Sequence, residues 1–141
     1  MAAIAITAAN VLPSSTSISQ TTGVLAAGVT ATQGQYLYTL SDGTYGLADA
    51  NVTDRWTVSG VALSGGSPGQ RINILEPGND AAFVFGGTGT VGAVLYLSPT
   101  AGGITETYAD IASAEKVVIL GQAVTATTMT FKTLGVQVTK P

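Results

Sequence analysis

One β unit is written twice in this chain, and any fold it adopts has to hold both copies. Trp56 to Leu63 reads as a strand, Ser64-Gly65-Gly66-Ser67-Pro68-Gly69 as a turn, and Gln70 to Leu75 as a returning strand. Val58, Ile72 and Ile74 alternate with polar residues, the period of a strand with one buried face. Pro68-Gly69 presets the turn, because proline fixes φ and glycine accepts a positive φ. Further along, Val117 to Val124, Thr125 to Thr128 and Met129 to Leu134 repeat the arrangement, and Gly60-Val61-Ala62 is echoed by Gly121-Gln122-Ala123.

The echo extends upstream. Gly23 to Gly28 and Gln35 to Leu40 read as short strands, Ser41-Asp42-Gly43-Thr44 as an Asp-Gly hairpin turn, Tyr45 to Ala48 as its return and Asp49 to Arg55 as a polar connection. Ala81 to Gly86, Gly92 to Tyr96, Ser98 to Gly103 and Tyr108-Ala109-Asp110 follow in the same order. Matching positions stand 58 apart before the turn and 61 apart after it, which puts a three-residue insertion in the second turn. A shared order at fixed spacing is the mark of duplication. The repeats cover about 23–80 and 81–134, and Gly135 to Thr139 adds a last strand.

The expected fold class is all-β: an antiparallel barrel or sandwich built from two related β units, with an extended N-terminal arm. Eighteen glycines and many β-branched residues suit short strands and tight turns. Val58, Val61, Ile72, Ile74, Val118, Leu120 and Phe131 are the expected core, with Trp56 at least partly buried.

Charge is scarce and unevenly placed. Charged residues make up 9% of the chain, and none precedes Asp42. An uncharged stretch of that length is expected to bury itself against the domain or a partner, because disordered segments usually carry charge or proline. Residues 1–22 precede the first repeat and are read as an arm, distinct from a β domain over 23–141. Its apolar members, Ile4, Ile6, Val11, Leu12 and Ile18, are the candidate contacts with a partner or a neighbouring subunit.

Other classes fall away on the same grounds. The five basic residues are scattered and the net charge is −3, whereas a phosphate-tracking surface needs clustered cations. Apolar runs are interrupted long before the roughly 20 residues of a membrane span, and the first residues lack the basic start of a secretory leader. Histidine and cysteine are both absent, which removes the commonest general base, the usual zinc ligands and the thiol nucleophile. Ser64-Gly65-Gly66-Ser67 reads as a turn rather than a nucleophile elbow, whose strand-to-helix context it lacks. Asp49-Ala50-Asn51-Val52-Thr53-Asp54 resembles a calcium loop only in its first oxygens and misses the glycine and distal glutamate. Neither metal nor cofactor nor small-molecule substrate is expected. Tyr36, Tyr38 and Tyr45 form the one candidate sugar platform, the basis of an alternative reading as a carbohydrate-binding or host-adhesion module; Asp42 and Asp49 are the carboxylates a hydrolase would use.

An ordered set of short pieces carries a resemblance. Ile6-Thr7-Ala8-Ala9-Asn10-Val11, Gly34-Gln35-Tyr36-Leu37-Tyr38 and Asp42-Gly43-Thr44-Tyr45-Gly46-Leu47-Ala48-Asp49-Ala50 come first. Gly60-Val61-Ala62-Leu63, Pro68-Gly69-Gln70 and Thr100-Ala101-Gly102-Gly103-Ile104 follow. In this order they resemble the small capsid decoration (cement, or head fibre) proteins of tailed bacteriophages, with Pro68 standing where that family usually has alanine. The resemblance implies a β-rich structural protein without catalysis, made in the host bacterial cytoplasm. It implies binding to the major capsid protein on the outside of the virion, often as a homotrimer.

Overall fold

The computed structural model describes residues 4–12, 20–52, 55–77, 79–132 and 138–141, with the backbone alone at 12 and 79–82. In the first half, β2 (Gln20–Val24), β3 (Tyr36–Thr39), β4 (Tyr45–Leu47), β5 (Gly60–Ala62) and β6 (Arg71–Leu75) form one sheet in the order β2-β6-β5-β3-β4. In the second half, β7 (Asn79–Phe85), β8 (Val94–Leu97), β9 (Ile104–Thr105), β11 (Ile119–Gln122) and β12 (Thr128–Phe131) make two sheets, β7-β12 and β11-β8-β9. These are linked by the Ala123–Met129 bridge and the Lys132 N–H bond to the Leu120 carbonyl at 2.9 Å. The strand β1 (Val11–Leu12) lies along β7, and β10 (Lys116–Val117) pairs with β13 (Val138–Thr139). All the sheet ladders are antiparallel, and the sheets stack as a sandwich rather than closing into a barrel. The fold is the all-β class that the alternation of apolar residues predicts. Its helical content among the described residues is two short 3-10 turns, Ala8–Asn10 and Tyr108–Asp110.

The two halves pair in matching register. Tyr36 and Leu37 face Val61 and Gly60, just as Val94 and Leu95 face Gln122 and Gly121. The tight turn before each hairpin also recurs: the N–H of Gly34 bonds Ala62 and that of Gly92 bonds Ala123, both at 2.8 Å, with φ of 95° and 85°. Close packing explains the shared Gly-x-Ala sequence. A Cβ on Gly60 would overlap the Ile74 side chain, and one on Gly121 would overlap the Thr130 carbonyl.

Register also corrects the expected insertion. Tyr38 faces Gly46, and Tyr96 faces Thr105. The hairpin turn therefore gains one residue in the second half; the other two fall between Thr105 and Ile119.

Two apolar clusters form. Leu25, Ala31, Leu37, Ala62, Ile72 and Ile74 fill the first half. The larger cluster fills the second half and reaches across to the first through Tyr36, Val61 and Leu75, which are cross-strand neighbours on one face of the first sheet. The Tyr36 ring meets Phe131 edge-on at 5.6 Å, and its hydroxyl donates to the Met129 sulfur at 3.3 Å. Burying such a side chain contributes about 1.5–3 kcal/mol, so this row holds the halves together. Val58, Val61, Ile72, Ile74, Val118, Leu120 and Phe131 are all buried, and Trp56 is half-buried against the larger cluster.

Candidate functional site

Of the proposed contact residues of the arm, Ile4, Ile6 and Val11 lie in a seat on the second half. The Ile4 N–H bonds the Ile104 carbonyl and the Thr7 N–H bonds the Gly86 carbonyl, both at 2.8 Å. A 3-10 turn over Ala8–Asn10 follows, closed by the Asn10 N–H on Thr7 at 3.0 Å. Val11 then pairs with Phe85 and Leu12 with Val84. Gln33 Nε2 donates to the Val11 carbonyl at 2.7 Å, tying the arm to the first half.

Glycines shape this seat. A Cβ on Gly34 would stand 2.7 Å from Ile6 Cγ2 and 2.8 Å from Val11 Cγ2; one on Gly86, 2.7 Å from Val11 Cγ2; one on Gly87, 2.6 Å from Ile4 Cγ2. Each distance is below any real carbon contact, so only glycine admits the three side chains. Clefts flank the arm on both sides. One, of about 390 Å³, is lined by Ala5, Thr7 and Asn10 with Gly86, Gly87 and Thr127; the other, of about 290 Å³, by Ile4 and Ile6 with Gln33, Gly34, Thr100 and Gly102. Alternation of sides along residues 4–7 is that of extended chain.

This corrects part of the expectation drawn from the sequence. Val11 is 1% exposed and belongs to the molecule's own core, with half-buried Ile4 and Ile6 packed against it. Within the single chain Val11 therefore meets the core rather than solvent. The side chain of Leu12 and the whole of Ile18 lie outside the described residues. The arm also ends earlier than position 22, because β2 begins at Gln20 and pairs with β6 through Leu75. Sequence reasoning missed the seat itself: Gly34, Gly86, Gly87, Phe85 and Ile104. The pair Gly86-Gly87 directly after an apolar strand was the available signal.

The other candidates resolve into local structure. Asp42 Oδ1 accepts from the Thr44 hydroxyl at 2.6 Å and the Thr44 N–H at 3.0 Å, which lowers its pKa and completes the hairpin turn. Asp49 is buried, and its Oδ1 caps the Asn51 N–H at 2.9 Å. Ser64 Oγ accepts from the Asn73 N–H at 3.0 Å, and Gly69 takes a φ of 79° in the turn. Among the described residues no three carboxylate, histidine or cysteine side chains converge as a metal site would need, and no helix is long and apolar enough to cross a membrane.

The tyrosines do not share a surface. Tyr36 is fully buried, Tyr38 lies over Gly46 with the Arg55 guanidinium 5.9 Å from its ring centre, and Tyr45 packs against the first cluster. Three exposed valines gather at one end of the second half. Val91 is 66% and Val124 49% exposed, on either side of the Gly92–Ala123 hydrogen bond, with Val94 one strand residue further on and Thr125 and Thr127 in the adjoining turn. No family profile and no curated protein matches the chain.

Proposed function

We propose that the protein is a capsid decoration protein. Many copies bind the major capsid protein on the outer surface of a tailed-phage head and stabilise the shell, without catalysis and without a small-molecule ligand. The ordered sequence resemblance is the origin of this reading. The observation that supports it most directly is the set of exposed valines, Val91, Val94 and Val124, at one end of the second half, with the Glu106 carboxylate held on Thr90 at its margin. Exposed apolar side chains grouped in this way are suited to burial against another protein. Repetition over a shell lets modest contacts suffice, because each bound copy raises the effective concentration of the rest. A homotrimer is the assembly the resemblance favours.

The test is cosedimentation of the purified chain with heads that lack their decoration. Saturable binding to the outside, with a raised temperature of head disruption, is the expected result. Val91→Glu and Val124→Glu place charge in the proposed contact and are expected to weaken binding at least about tenfold, or about 1.4 kcal/mol. The melting temperature of the free protein should barely move, since exposed substitutions usually stay within about 0.5 kcal/mol. Absence of binding to any undecorated head, or binding to glycans that saturates independently of heads, sinks the reading.

A further inference from the structure

The two halves close in different ways. In the first, β2 and β4 meet directly: Leu25 bridges Tyr45, and the Ala26 N–H bonds the Tyr45 carbonyl at 3.0 Å. The matching positions in the second half can be read from register. Ile104 faces Leu97 as Tyr45 faces Thr39, and the Phe85 N–H reaches across to the Thr127 carbonyl as the Leu25 N–H does to Gln70. Phe85 and Ile104 both bond to the arm instead: Val11 pairs with Phe85, and the Ile4 N–H is held by Ile104. Each half has five strands, but in the second the arm, residues 4–12, runs between β7 and β9, the counterparts of β2 and β4.

We propose that this seat is an exchange site, which takes the arm of a second copy of the chain when copies are concentrated. The occupant is specified by shape, because Gly34 makes room for Ile6 and Val11, Gly86 for Val11 and Gly87 for Ile4. A neighbour's arm makes every contact that the chain's own arm makes, so exchange loses none of them and concentration decides the outcome. The arm has no charged side chain that would oppose its transfer. Its covalent tie to the first half runs only through residues 13–19, of which five are serine or threonine. Copies crowded on a surface reach effective concentrations of about millimolar, the condition under which the partner's arm completes each second half.

The measurement uses the unaltered chain. Carbon-13-labelled and unlabelled chains are mixed one to one at about millimolar concentration, denatured and refolded together, and examined by isotope-filtered NOE spectroscopy. Contacts from labelled Ile4 and Ile6 methyls to unlabelled Phe85 or Gly34 protons are expected. If these contacts appear only within chains, in a uniformly labelled sample, the arm stays at home and the proposal falls. A second arm uses the lack of cysteine: chains bearing Ala5→Cys and chains bearing Thr88→Cys, exposed positions that line the same cleft, are mixed with a short bismaleimide, with Thr44→Cys in place of Thr88→Cys as the control. A covalent pair formed by positions 5 and 88 but not by 5 and 44 supports exchange; equal yields overturn it. Neither experiment contains a capsid, so its failure leaves the decoration reading untouched, and failure to bind heads leaves this one untouched.

Discussion

Glycine, in this molecule, separates two requirements that usually travel together. Gly43 and Gly86 have the same φ of 86°, but a Cβ on Gly43 meets nothing within 4 Å while one on Gly86 meets Val11 and the Thr7 carbonyl. Gly43→Ala should cost the left-handed backbone alone, about 1–2 kcal/mol. Gly86→Ala adds the overlap, a further 1–3 kcal/mol or so; equal shifts in urea midpoint for the two variants would show that the arm does not press on Gly86. Tyr36 offers a second measurement. Burial pushes its pKa far above the usual value. The folded state therefore keeps its proton where the unfolded chain has lost it. The stability it contributes is complete below about pH 10 and declines as the pH rises further, by up to about 1.4 kcal/mol per unit. Tyr36→Phe should flatten that decline, as urea titrations between neutral and alkaline pH would reveal.

Among the elements, the N-terminal segment departs furthest from its sequence reading. Read from the sequence, residues 1–22 are a docking arm, so a chain beginning at Thr22 keeps its fold and loses capsid binding or subunit association. The seat of Val11 in the core reverses this expectation. Val11→Ala should lower stability by about 1.5–3 kcal/mol, and the truncated chain by more, a large share of the roughly 5–15 kcal/mol available to a domain. Unchanged thermal midpoints in both would return the segment to the role of a free arm. Why the strands were legible and the seat was not follows from the range of the interactions. Ile72, Ile74, Met129 and Phe131 announce themselves by alternation, and Asp42-Gly43 by the φ it demands; both are local. The partner of Ile4 is a carbonyl at Ile104, and nothing near either residue names the other. Tyr36 and Tyr38 show the same limit. Strand alternation put them on one face, as it should, but burial of that face came from the second half.

For the molecule as a whole, the larger cluster draws on both halves, with Tyr36, Val61 and Leu75 beside Phe83, Met129 and Phe131. One cooperative transition is expected, with calorimetric and van't Hoff enthalpies equal and a far-ultraviolet spectrum of β type; two separable melts would mean that each half stands alone. The bond between Ile4 and Ile104 has a last consequence, in time rather than in space. During synthesis the segment around Ile4 leaves the ribosome a hundred residues before its partner at Ile104. The first sheet has all five of its strands by Leu75, while the arm must wait. Closing so long a loop is slow, and contacts of this range form late. Substitutions at Ile4 and Val11 should therefore speed unfolding and leave the refolding rate nearly unchanged, whereas Ile74→Val should slow refolding. The arm is made well before its seat and is the last to find its place, and until it does, the β7 edge it will cover stands open to whichever arm arrives first.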